Sequence, residues 1–266
     1  MNIKDITVGI VTFRSEKVIF KCLKSLKNIK KIIIVDNSND LILKEKIKKV
    51  YPHINFILSK KNNGYGSGNN KIFRLAKTSH VLVLNPDTIL SKNCINELIH
   101  QENLIKNKFA ILAPSEKNII KKEIMEVDYV KGFSMLVDLS KIKNIKMFDE
   151  NFFLYLEEID LCKRLKLVSE KIYICGKAKI THLSAKSSNI GFEFEKCRNW
   201  HWMWSKVYYN KKHKNFFYIL RNTFLAIFLA IDAIFFSRVR TPDSLVYSTI
   251  TFSICFLFNF NWDYFL

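Results

Sequence analysis

Four short, uninterrupted apolar runs alternate with segments of helical spacing through roughly the first third of the chain. That alternation restricts it to an α/β architecture. The runs are Ile6 to Phe13, Lys31 to Val35, Ile54 to Leu58 and His80 to Leu84. Between the first two, Val18, Cys22, Leu23 and Leu26 fall on one helical face. Leu41 to Val50 repeats the helical pattern, and a third helix follows Asn62–Asn70 and runs through Ala76. Strands without polar alternation are buried on both faces, as in parallel sheets flanked by helices. The expected fold is therefore α/β, with a mostly parallel, doubly wound sheet.

Ligands of such sheets bind beyond the carboxyl ends of the strands, and three of these ends carry short polar residues: Thr12, Asp36 and Asp87. Asp36 suits a base or ribose contact, and equally a helix N-cap. Asn85-Pro86-Asp87 suits a turn, and its carboxylate equally suits a hard cation that bridges a diphosphate. The segment from Asn63 to Asn70 holds Gly64, Gly66 and Gly68. It lacks the G-x-G-x-x-G spacing and follows the third strand. It either presents backbone N–H groups to a diphosphate or turns the chain.

Further along, short strands are expected at Ala110–Ala113, Tyr129–Leu136 and Lys171–Cys175. A helix with acids in its first turn is expected over Glu157–Leu167. Glu157, Glu158 and Asp160 are like charges within four residues, preceded by the apolar Phe152-Phe153-Leu154-Tyr155. A partly buried carboxylate there suits a general base. His182 follows an apolar run and reads as either structural or metal-ligating.

Taken in order, Val8-Gly9-Ile10-Val11-Thr12-Phe13, Val35-Asp36-Asn37-Ser38, Asn63-Gly64-Tyr65-Gly66, Leu84-Asn85-Pro86-Asp87, Phe148 to Asp160 and His182 resemble the family 2 glycosyltransferases of GT-A fold. The rhamnosyltransferase-like branch is the nearest pattern, and the likeness spans roughly residues 5–190. It implies a nucleotide-sugar pocket lined by Thr12, Phe13, Asp36, Asn63, Gly64, Gly66, Asn70, Asn85 and Gly132. It implies Asp87 as the anchor of a divalent cation, Mn²⁺ or Mg²⁺, with His182 as a second ligand. Glu158 takes the general-base position, supported by Glu157 and Asp160. Asn85 stands where the family commonly has an acid, a feature of the rhamnosyltransferase-like members. Glu157-Glu158 replaces the usual Glu-Asp, lengthening the second side chain by one methylene. The implied activity is inverting transfer of rhamnose or another hexose from a nucleoside-diphosphate sugar. The acceptor is a hydroxyl on a glycan or lipid-linked molecule in surface polysaccharide synthesis.

Two rival readings separate on sequence features. A nucleotidyltransferase would carry a glycine-rich phosphate loop after its first strand, where Thr12-Phe13-Arg14-Ser15 stands instead. A non-catalytic nucleotide-sugar scaffold would bind donor without hydrolysing it. The net charge of +19 invites an anionic partner. Lys dominates that charge and is scattered, however, following the abundance of Lys, Asn and Ile that AT-rich coding produces. A nucleic-acid reader clusters its charge and favours Arg, so none is expected.

The six Cys include no C-x-x-C pair, which suits buried, reduced thiols. The first residues lack the apolar run of a signal peptide. The expectation is a cytoplasmic protein, peripheral on the inner face of the cell membrane. Residues 1–195 form the catalytic domain in this reading, and 196–266 a helical, aromatic-rich extension. Trp200, Trp202, Trp204, Tyr208 and Tyr209 precede Lys211-Lys212-His213-Lys214, a pairing suited to an anionic headgroup zone. The apolar stretches Phe216–Phe236 and Leu245–Phe260 are too short, or too charged, for comfortable spans. Packing on the catalytic domain, a homo-oligomer contact, and a re-entrant hairpin or true span are the alternative uses of this region.

Overall fold

A computed structural model describes residues 1–27, 29–105, 109–116, 122–183, 192–215, 217–218 and 220–221. The chain divides into two units, Met1–Asn189 and Ile190–Leu266. The division falls ahead of the last described helix, whereas the expected boundary at 195/196 falls within it.

Among the described residues the first unit is built on a nine-stranded sheet. Its elements are β1 (Ile6–Thr12), α1 (Glu16–Ser25), β2 (Ile32–Asp36), α2 (Leu41–Val50), β3 (Asn55–Leu58), α3 (Gly64–Leu75), β4 (His80–Leu84), β5 (Thr88–Leu90), α4 (Cys94–Ile105), β6 (Ile111–Glu116), β7 (Ile124–Glu126), β8 (Ser134–Asp138), α5 (Leu139–Lys143), α6 (Glu157–Leu167) and β9 (Ile172–His182). The strand order is β3-β2-β1-β4-β8-β6-β9-β5, with β7 paired to β9. The α/β architecture read from the sequence is present. The parallel arrangement holds for β3, β2, β1 and β4. Beyond β4 the sheet is mixed: β8 runs antiparallel to β4 and β6, and β9 runs parallel to β6 but antiparallel to β5 and β7.

The strands' two-residue side-chain period sorts their apolar residues to opposite faces. Val8, Ile10, Ile34, Leu82, Leu84 and Leu136 pack with Ile19, Leu23, Leu43, Ile47 and Leu98 of α1, α2 and α4. Val11, Val35, Val81, Val83, Met135 and Val137 pack on the other face with Ile72, Phe73, Ile142, Leu161 and Leu165 of α3, α5 and α6. Each fully buried aliphatic side chain contributes about 1.5–3 kcal/mol relative to exposure. Both faces of the central strands are covered, which is why their sequences carry no polar alternation.

Two expectations change. The run from Tyr129 to Leu136 becomes a strand only at Ser134, because residues 129–133 leave the sheet and carry Gly132 past α6. β9 continues seven residues beyond Cys175 and takes His182 into the sheet.

In the second unit, α7 (Phe192–Lys212) holds the aromatic and basic residues. Trp204 stacks on Tyr208, and Lys206 lies over the Trp202 ring at 4.7 Å. Among the described residues no helix is long and apolar enough to cross a membrane. The apolar stretch at 245–260, and most of that at 216–236, lies outside the described residues.

Candidate active site

Asp87 follows β4 in a turn where the N–H and hydroxyl of Thr88 both donate to the Asn85 carbonyl. The turn and the site are thus the same feature. The short β5–β9 ladder sets Thr88 opposite His182, and the Leu183 N–H donates to the Asp87 carbonyl. Residues far apart in sequence are clamped side by side, with His182 Nε2 3.2 Å from Asp87 Oδ1. That oxygen is buried and accepts no hydrogen bond among the described residues. The imidazole is fixed by stacking on Phe133, 4.6 Å between ring centroids.

An orphaned carboxylate oxygen beside an imidazole nitrogen is a donor pair suited to a divalent cation. The mixed N and O set fits Mn²⁺, while Mg²⁺ is bound mainly through oxygen. Among the described residues no group of three or more His, Cys, Asp or Glu forms a closed metal site. Two protein ligands would leave the remaining positions of such an ion to phosphate and water, as in open catalytic sites.

Glu158 reaches the same place from α6. Gly132, one residue before Phe133, lies against its carboxyl group: a Cβ on Gly132 would stand 3.4 Å from Glu158 Cδ. The Gly132 backbone hydrogen-bonds to the Glu158 carboxylate. Burial raises the Glu158 pKa, and hydrogen bonds from its own, the Gly132 and the Ile159 backbone oppose the rise. Burial, with the Glu158 charge added, drives Glu157 well above the ordinary carboxylate range, and its Oε2 has no hydrogen-bond partner among the described residues. The helix start that presents both acids is strained: Tyr155 and Leu156 have φ of 73° and 67°. Left-handed non-glycine residues of this kind cost on the order of 1–3 kcal/mol each and gather at functional sites.

Asp160 sits elsewhere. Its carboxylate is fully buried and accepts from Arg164 Nε at 2.8 Å. Arg164 in turn donates to the carbonyls of Ile145 and Met147. Through Arg164, Asp160 ties α6 to the preceding segment.

The residues expected on the nucleotide side are held together mostly by each other. Asp36 is fully buried and accepts from the Thr12 hydroxyl, the Ser38 hydroxyl and the Asp40 N–H. It organises the β1 and β2 ends, and Asp40 rather than Asp36 caps α2. Phe13 is half-buried at the rim, with the Arg14 guanidinium over its ring. Asn70 donates to the Phe148 carbonyl and to Glu150, and accepts from the Phe148 N–H, pinning α3 to that segment.

The glycine run is not a simple turn: it opens a helix. Asn63 is the N-cap position of α3, and the helix begins at Gly64 itself. Gly64 needs its φ of 83°, and a Cβ there would lie 2.2 Å from the Phe153 carbonyl oxygen. Gly66 packs on Phe148 and Glu157, while Gly68 lets the helix approach Val11 closely.

Tyr65 joins the two halves. Asn37 donates to the Gly64 carbonyl, and the neighbouring Tyr65 hydroxyl donates to the Gly132 carbonyl. Burial and the charges of Glu157 and Glu158, with a smaller part from Asp87, push the phenol well above its usual pKa. It stays a neutral donor. Tyr65, Phe133 and Arg14 are site residues the sequence did not single out. Only the left-handed φ of Arg14 and the contacts across the cleft reveal them.

The model of the family described as "Glycosyl transferase family 2" matches residues 7–172, well over half of the chain. The low-salt glycan biosynthesis hexosyltransferase Agl10 of Haloferax volcanii is 28% identical over 207 residues, covering 67% of this chain and 67% of that protein. The rhamnosyltransferase WbbL of Escherichia coli K12 is 28% identical over 211 residues, covering 64% and 78%. The crystal structure of S. aureus TarS 1-349 in complex with UDP-GlcNAc superposes with a TM-score of 0.56 at 18% identity, covering 94% of this chain and 81% of that one. The structural likeness is one of fold, a GT-A-type mixed α/β sheet.

Proposed function

The chain belongs to glycosyl transferase family 2, and on that premise we propose that it is an inverting, metal-assisted hexosyltransferase. It would move rhamnose or another hexose from a nucleoside-diphosphate sugar to a hydroxyl of a glycan or lipid-linked acceptor. The relatives named for hexosyl and rhamnosyl transfer, and the TarS complex with UDP-GlcNAc, support the substrate class. The observation that carries the reading is the meeting of Asp87, His182 and Glu158 around the Gly132-Phe133 segment.

In this mechanism Asp87 and His182 would hold a divalent cation, and the chemistry such an ion would supply there is neutralisation of charge on the leaving diphosphate. Glu158 accepts the proton of the attacking acceptor hydroxyl. The acceptor oxygen bonds to the anomeric carbon from the face opposite the leaving group. The bond from that carbon to the phosphate oxygen breaks, its electron pair departs with the nucleoside diphosphate, and configuration inverts. Tyr65 holds the Gly132 carbonyl, and so the wall against which Glu158 rests. We further place the enzyme on the inner face of the cell membrane, in surface polysaccharide synthesis. The aromatic and basic content of α7 supports that attachment.

The test is a thermal-shift screen of UDP-GlcNAc, dTDP-rhamnose and related nucleotide sugars, with and without Mn²⁺. One donor class should stabilise the protein in proportion to the logarithm of its concentration above Kd. Asp87→Ala should remove the Mn²⁺-dependent part. Stabilisation by none of these compounds would overturn the reading.

A further inference from the structure

Strands β1 to β4 are parallel, so the connections that enter them gather at one end of the sheet, opposite the cleft. These connections are residues 2–6, 24–31, 48–55 and 75–80. The Lys31 carbonyl accepts from the Val8 N–H, the Lys31 ammonium donates to the Lys4 carbonyl, and Ile6 pairs with His80. Neighbouring strands stand about 4.8 Å apart, which places the set within roughly 15 Å across the four strands.

The four segments hold eight Lys and, as their acid, Asp5 alone. Lys27, Lys30, Lys31, Lys48, Lys49 and Lys77 are exposed, and none forms an ion pair among the described residues. At the same end of β8 and β9 the pattern differs, since Lys141 is paired with Glu170 and Lys171 with Glu126. Lysines in the last turn of α2 suit the helix dipole. Lys27, Lys30, Lys31 and Lys77 lie outside the helices, so the dipole does not account for them.

Exposed aliphatic side chains collect at this end too. Val50 closes α2 at 59% exposed, and the exposed Leu75 closes α3. β6 and β9 run the same way as β4, so α4 and α6 also finish here, with Leu104, Leu167 and Val168 exposed. Single exposed aliphatics are ordinary on a protein surface. Their gathering at one end, beside unpaired ammonium groups, points to a ligand. A nucleic acid or an acidic peptide would use the charge and leave the aliphatic tips in water. An anionic leaflet uses both, as ammonium groups meet lipid phosphate while short aliphatic tips enter the headgroup zone. The tips stand on separate helix ends, unlike the continuous apolar core of a protein interface.

We propose that this end of the first unit docks on an anionic lipid leaflet through its own contacts, separate from those of α7, with the cleft turned away from the lipid plane. β1 spans seven residues, so the two ends stand about 20 Å apart. The proposal goes beyond the transferase reading and does not depend on it.

Lysine footprinting on the full chain tests it: acetylation by an N-hydroxysuccinimide ester, read residue by residue by mass spectrometry, with and without phosphatidylglycerol vesicles. Lys27, Lys30, Lys49 and Lys77 should react at least threefold more slowly on vesicles. Lys60 and Lys61, exposed at the cleft end, should keep their rates. Lys27→Glu, Lys30→Glu, Lys49→Glu and Lys77→Glu combined should weaken vesicle binding at least tenfold. The thermal midpoint should hold, because these side chains are exposed and outside any ion pair among the described residues. Val50→Ser with Leu75→Ser should weaken binding severalfold. Protection confined to the lysines of α7, equal protection of Lys60 and Lys61, or binding unchanged in either variant would overturn the assignment. Protection of the same lysines by homopolymeric RNA but not by vesicles would overturn it in favour of a nucleic-acid partner. Nucleotide-sugar thermal shifts on the same samples report on the transferase reading separately.

Discussion

Single side chains divide here into those that face the cleft and those that build it. Asp87 has a buried oxygen without a hydrogen bond among the described residues, and Asp87→Asn should lower kcat/KM by roughly 10²–10³-fold, as loss of a charge-stabilising group does; steady-state kinetics at saturating Mn²⁺ checks this. Glu158→Gln removes the proposed proton acceptor and should reduce kcat by about 10²–10⁴-fold, with nucleotide-sugar stabilisation retained. Because the Glu158 pKa is raised and the base must be ionised, kcat should fall on the acid side at a pH above the normal glutamate value. Glu157 is raised further by burial and the Glu158 charge. A raised carboxyl favours the fold below its unfolded pKa, and that contribution is lost as pH rises through the folded value. Glu157→Gln should therefore raise Tm near neutral pH by roughly 2–4 °C, on the order of 1 kcal/mol, and change little near pH 4. Differential scanning calorimetry at the two pH values decides it. Asp36, Asp87, Glu158 and His182 stood out in the sequence by residue type and place. That Asp36 and Asp160 are engaged in internal bonds was not legible, since the partners Thr12 and Ser38, and Arg164, compete with ligand for the same carboxylates.

Among the elements, the long periodic ones were readable and the short ones were not. β1, β2, β4 and the helices beside them announce themselves by apolar runs and 3.6-residue spacing. β5 and β7 are three residues each and exist because β9 offers them a ladder. β5 matters most, as its pairing sets Asp87 beside His182. The start of α3 shows how a local rule is overridden: three glycines open a helix because neighbouring backbone and side chains leave no room for Cβ atoms. Gly64→Ala meets both a positive φ and the Phe153 carbonyl. It should destabilise the protein by about 2–4 kcal/mol, read as a lower urea midpoint at unchanged slope.

For the molecule as a whole, the +19 charge and the aromatic, lysine-bearing α7 predict adsorption to anionic surfaces. Cosedimentation with phosphatidylglycerol vesicles should be strong at low salt, fall as salt rises past about 0.2 M, and be weak for phosphatidylcholine alone. Salt-independent binding would point to insertion instead. The sequence by itself determined the α/β class, the strand ends at which a ligand must lie and the residue types available there. Those depend on apolar periodicity and on chemistry carried by single side chains. Only the tertiary structure decided which of these groups meet. Parallel pairing in the first half of the sheet and antiparallel pairing in the second bring the ends of β4 and β9 and the start of α6 to one segment, Gly132-Phe133. Contacts across such sequence distances depend on pairing partners that no local pattern encodes.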